Sequence, residues 1–147
     1  MRVSLRDWLQ SGWVTEHKSS TQEIRDLLAL TDRDLHDCRA ADLSADWRFN
    51  IAYHAALQAA TAALAAAGFR AARDAHHYRV IQSLAYTIAV APGLLRRFDA
   101  FRKKRNLTSY EMGGRISDQE AKEMAAVAEK LRREVRHWIK ANHPRLL

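Results

Sequence analysis

A chain of 147 residues, 48% hydrophobic and 28% charged, has the size and balance of one globular domain and not of a disordered segment. Its single cysteine, Cys38, excludes a disulfide-stapled scaffold, and its longest apolar candidate, Ala55 to Ala67, falls short of the ~18–20 residues of a membrane span. Twenty-four Lys and Arg against 17 Asp and Glu leave a net charge of +7, which favours an anionic partner, nucleic acid first. The start, Met1-Arg2-Val3-Ser4-Leu5-Arg6-Asp7-Trp8, lacks the apolar stretch of a signal peptide, so a cytoplasmic protein without membrane contact is expected.

Twenty-six alanines against five glycines and two prolines point to helices. No repeat or linker divides the chain, so residues 1–147 read as one domain with residues 1–19 as an N-terminal extension. A short amphipathic piece runs from about Ser4 to Gln10 and stops at Gly12; Trp8 and Trp13 read as exposed. Ser20-Thr21-Gln22-Glu23 is a capping box opening a helix with the stripe Ile24, Leu27, Leu28, Leu35 and Cys38. Ser44 caps a third helix that runs to Gly68 with Trp47, Ile51, Tyr53, Leu57 and Leu64; its alanine-rich second half allows a close neighbour. A fourth covers about Ala75 to Ala91, with Val80, Ile81, Leu84 and Ile88 inward, and is broken by Pro92-Gly93. The fifth runs from Leu94 to about Leu107. A loop with Gly113-Gly114 leads to a second capping box, Ser117-Asp118-Gln119-Glu120, and a last helix striped by Met124, Val127, Leu131, Val135, Trp138 and Ile139 until Pro144. Four long amphipathic helices predict an all-α, antiparallel four-helix-bundle-like fold with a short extra N-terminal helix.

Positive charge concentrates between Arg96 and Arg105, six basic residues in ten positions. A solvated helix face is the ordinary explanation of such a run. Leu94, Phe98, Phe101 and Arg105, however, follow at spacings of four, three and four, so Arg105 continues the apolar stripe. A guanidinium there needs a partner. Either a carboxylate such as Asp99 pairs with it, or it presents its fork to a phosphate at the mouth of the bundle. Spacing leaves both open.

Other chemistry is sparse. His76 and His77 are adjacent and point to different sides of a helix, and His54 lies in the third helix; each reads first as a structural histidine. No His/Cys/Asp/Glu spacing matches a zinc or di-iron set, so neither a metal nor another cofactor is expected. There is no phosphate-cradling glycine loop and no nucleophile elbow. Cys38 reads as a small core residue.

The run Arg105-Asn106-Leu107-Thr108-Ser109-Tyr110, on the penultimate helix of a small helical chain, resembles the signature of the HEPN superfamily: an Arg, often followed by Asn, with a His four to six residues later. Phe49-Asn50-Ile51-Ala52-Tyr53-His54, followed by Gly68-Phe69-Arg70 and His76-His77, also looks like small bacterial HEPN-type proteins of toxin–antitoxin neighbourhoods. The resemblance spans about residues 20 to 140. It implies a homodimer that brings two motifs across a cleft, with RNA or a nucleotide as ligand. Active members cut RNA without a metal, the Arg holding the phosphate and the His moving a proton. Others partner a nucleotidyltransferase antitoxin that modifies a tyrosine near the motif.

On this resemblance Arg105 and Asn106 are phosphate-facing candidates, with Arg102, Lys103 and Lys104 adding RNA-binding charge. Tyr110 stands where the family has His. A phenol with an ordinary pKa near ~10 is a poor general base at neutral pH, whereas imidazole near ~6.5 is a good one. The expectation is an RNA- or nucleotide-phosphate-binding protein weakened in catalysis. The alternatives are a metal-independent endoribonuclease toxin and a partner subunit of a nucleotidyltransferase antitoxin.

Overall fold

Alanine decides how closely the helices approach. In the computed structural model, which describes residues 4–109 and 116–147, α3 (Ala45–Ala66) is buried nearly all round, with Ala52, Ala55, Ala59 and Ala62 at 0% exposure. Such a helix is a core element, and its short side chains let neighbours settle against its backbone. It packs mainly between α2 (Thr21–Asp37) and α6 (Asp118–Asn142). α6 buries Met124, Val127, Leu131, Val135 and Ile139, the stripe its sequence predicts, with Trp138 half-buried.

The remaining elements are α1 (Leu5–Gln10), β1 (Val14–Glu16), β2 (Phe69–Ala71), α4 (His76–Ser83), α5 (Pro92–Ser109) and a 3-10 turn, Pro144–Leu146. The chain is therefore mostly helical, as predicted. The two strands, which composition did not announce, pair antiparallel with Val14 opposite Ala71, Thr15 opposite Arg70 and Glu16 opposite Phe69. Gly68, at φ +96, turns the end of α3 into β2, and its carbonyl accepts from the His17 amide at 2.9 Å.

The capping signals act locally, as capping should. Ser20 accepts from the Glu23 amide and Ser44 from that of Trp47. The Ser117–Glu120 box is complete, at 3.0 and 3.1 Å. At Ser20 only half of the expected box forms, because the Glu23 carboxylate binds His17 Nε2 at 2.8 and 2.9 Å.

Three expectations need correction. The fourth helix ends at Ser83, not Ala91: turns follow over 84–88, and Ala89 takes a left-handed φ of 51. Pro92 then opens α5, where a missing N–H costs nothing. Trp8 is 5% exposed, edge-on to Trp13 (5.6 Å) and Tyr86 (5.2 Å), so the N-terminal piece is part of the core. Trp13 is indeed exposed, with the Arg79 guanidinium 4.1 Å over its ring. Trp47, placed by its sequence on the α3 stripe, is 62% exposed. Among the described residues no helix is long and apolar enough to cross a membrane.

Candidate functional site

Three helices bring their polar residues to one point. On α3, Asn50, Tyr53 and His54 stand at i, i+3 and i+4 and share a face. On α5, Phe98 and Arg105 lie two turns apart on the inward stripe, and Phe98 is fully buried. α4 opens with His76 and His77.

Tyr53, at 0% exposure, is the hub. Its ring meets Phe98 edge-on at 5.8 Å and lies 6.0 Å from the His54 ring and 5.9 Å from that of His77. The guanidinium carbon of Arg105 sits 5.0 Å from the same ring centroid, a cation–π placement. Arg105 Nε donates to Asn50 Oδ1 at 3.2 Å, and an Nη of the half-buried fork is 3.4 Å from His54 Nε2. The Tyr53 hydroxyl is 3.1 Å from His77 Nδ1.

Burial and charge set the protonation of this cluster. Burial pushes the Tyr53 phenol up to about 12, against the partial relief of Arg105 and Arg102, so it stays a neutral hydroxyl able to donate to His77 Nδ1. Burial first, then the Arg105 cation, holds His54 below the ordinary imidazole value; the buried carboxylate of Asp34 works the other way. His77 is lowered by burial, by Arg105 and by its neighbouring histidines. Both imidazoles are thus neutral at pH 7. A neutral His54 keeps a lone pair on one ring nitrogen, and Nε2 facing a guanidinium is the favoured place for it.

The cluster can therefore do two things. A preorganised guanidinium can hold an anionic oxygen, and an uncharged imidazole beside it can take a proton.

The other predicted site residues are placed differently. Arg102 Nε is held by Asp99 at 2.8 Å and its guanidinium lies 5.2 Å from the Tyr78 ring. Asp99, the carboxylate considered for Arg105, thus binds Arg102, with Lys103 at 3.7 Å. Lys104 pairs with Glu120 at 2.9 Å, which holds that carboxyl below its ordinary range. Asn106 is exposed. Tyr110, and with it the proposed antitoxin modification, lies outside the described residues.

Asn50 and Tyr53 were not singled out as site residues by sequence reasoning, and His54 and His77 were read as structural. The Asn50–His54 spacing of one helical turn was legible; that α5 would lay Arg105 across it was not. Among the described residues no group of three or more His, Cys, Asp or Glu could hold a metal. No family model, curated protein or solved structure matches the chain.

Proposed function

We propose that this protein binds RNA or a nucleotide through its phosphate, with Arg105 as the anchor, in the manner of a HEPN-type bundle. The observation that carries this reading is the setting of Arg105: docked by Asn50, stacked on buried Tyr53 and flanked by an uncharged histidine. A guanidinium meant only for a solvated face needs none of that framing. The four long helices, α2, α3, α5 and α6, and the position of Arg105 on the penultimate one fit the resemblance. A homodimer, placing two such clusters across one groove, belongs to the same proposal.

The test is fluorescence anisotropy with a short single-stranded RNA. Arg105→Ala should weaken binding by about 10- to 100-fold, the value of a charge-assisted hydrogen bond to phosphate. Affinity should also fall linearly in a log–log plot against salt as counterions are released. Unchanged affinity in Arg105→Ala would reject the reading.

A second reading, a metal-independent endoribonuclease, is favoured by His54. With Tyr110 in the usual histidine position, His54 supplies a base from another helix. Once Arg105 turns to the phosphate and frees the Nε2 lone pair, His54 takes the 2′-hydroxyl proton as that oxygen attacks phosphorus; the P–O5′ bond breaks and the departing oxygen is protonated by water. The products are a 2′,3′-cyclic phosphate and a 5′-hydroxyl. Cleavage in EDTA that disappears in His54→Ala supports this reading; RNA left intact at enzyme excess removes it.

A further inference from the structure

The opposite end of α3 holds two adjoining cavities that the Arg105 cluster does not use. One, of about 1270 Å³, is a cleft bordered by Arg6, Lys18, His143 and Arg145, and Glu16 is the one carboxylate in its lining. The other, of about 590 Å³, lies between α2, α3, β2 and α4; Leu27, Leu30, Leu64, Phe69 and Val80 make its apolar wall, and Glu23, Asp26 and Arg70 also line it. His17, Ser20 and Phe69 line both, so the two chambers share a wall.

The wall is fixed. His17 is clamped by Glu23, and the Thr21 hydroxyl donates to the Arg145 carbonyl at 2.9 Å, holding the C-terminal turn against the start of α2. The charge is not neutralised to the same degree. Arg6 reaches Glu16 only at 3.8 Å, between two exposed side chains. Among the described residues, Lys18 and Arg145 make no side-chain ion pair, unlike Arg102 and Lys104 of α5. A concave surface on which positive charge outweighs negative focuses potential and draws an anion.

We propose that the two chambers together bind a nucleoside phosphate, the phosphates in the basic cleft and the base between α2 and α4. A mostly apolar chamber beside a net-positive one asks for a ligand with a flat, largely apolar body and an anionic head. Polar groups on the inner chamber argue for a heteroaromatic base over a hydrocarbon chain. His76 lines it and makes no hydrogen bond among the described residues, and Gln22, bound to Asp26 through its amide nitrogen, keeps its carbonyl oxygen available. A base edge can pair with these groups, whereas an alkyl chain would bury them unsatisfied.

The basic cleft stands apart from Arg105, while the inner chamber comes nearer, its His76 ring lying 6.1 Å from that of His77. His54 and Ala66 are 12 positions apart on α3, about 18 Å along its axis. The two readings can therefore fail separately.

The experiment is equilibrium dialysis of the full chain with ATP, GTP, CTP and UTP, and with inorganic tripolyphosphate as the base-free probe. Saturable binding of at least one nucleotide is expected. The double variant Lys18→Glu/Arg145→Glu, both exposed positions, should weaken it about tenfold or more. Leu30→Trp, which fills the inner chamber, should weaken the nucleotide and leave tripolyphosphate unchanged. Arg105→Ala should reduce binding of RNA, and the nucleotide binding it retains should still be lost on adding Lys18→Glu/Arg145→Glu. Three results overturn the proposal: no saturable nucleotide binding up to about 1 mM; tripolyphosphate binding as tightly as every nucleotide; or binding lost in Arg105→Ala and kept in the double variant.

Discussion

A guanidinium resting on a phenol ring, with one N–H on an amide oxygen and another beside an imidazole, has little rotamer freedom left to lose when an anion arrives. That preorganisation depends on shape as well as charge. Arg105→Lys keeps the charge but loses the fork and the stacked plane, so RNA affinity should fall about tenfold in an anisotropy titration. Asn50→Ala should give a smaller loss, because it releases Arg105 without removing it. The histidines make a second prediction. His54 and His77 have lowered values in the fold, so below ~6.5 the unfolded chain binds protons that the folded chain does not. Stability should therefore be full above ~6.5 and decline as pH falls from there through the lowered values. Urea melts of His77→Gln, compared with the parent at pH 7 and pH 5.5, should show a shallower decline. If His54 acts as the base, its lowered value also keeps cleavage active to more acidic pH than an ordinary histidine would.

At the scale of the helix, caps and close packing carry separate loads. Ser117→Ala removes the acceptor for the Glu120 amide and should cost about 1 kcal/mol in a denaturant melt. The same box connects two helices, since Glu120 also binds Lys104 of α5. Ala59, at 0% exposure on α3, tests the close approach of α2 and α6. Ala59→Leu should destabilise by about 1–3 kcal/mol, because a well-packed core has no room for three more carbons. The end of α4 shows why helix boundaries were harder to read. Ile81, Leu84 and Ile88 keep helical spacing, yet the Ser83 hydroxyl turns back to the Val80 carbonyl at 2.6 Å and Val90 N bonds Leu84 O. Side-chain competition for backbone groups ended the helix where apolar periodicity continued.

For the molecule as a whole, the N-terminal extension is a working part of the fold. Trp8 is buried against Tyr86, and β1 pairs with β2 beyond α3, so residues far apart in the chain close one end of the core. Trp8→Ala should cost about 3–5 kcal/mol and lower the thermal midpoint accordingly. Charge is also distributed at this scale. The α5 run that looks like one basic patch in the sequence is partly neutralised by Asp99, Glu120 and Glu123, whereas Lys18 and Arg145, unremarkable in sequence, line one cleft.

The helical class, the capped starts of α2, α3 and α6 and the inward stripes of α2 and α6 were legible in the residues alone. Capping and amphipathic spacing act within a few positions, so local order is enough to reveal them. That Arg105 lies inward was also legible, from its place on the stripe after Phe98 and Phe101. Its companions were not. Asn50, Tyr53, His54 and His77 come from two other helices, and the Val14–Ala71 strand pair and the twin cavities join segments more than fifty positions apart. Such neighbours are chosen by how whole helices pack, and a linear pattern carries no record of the distances that packing creates.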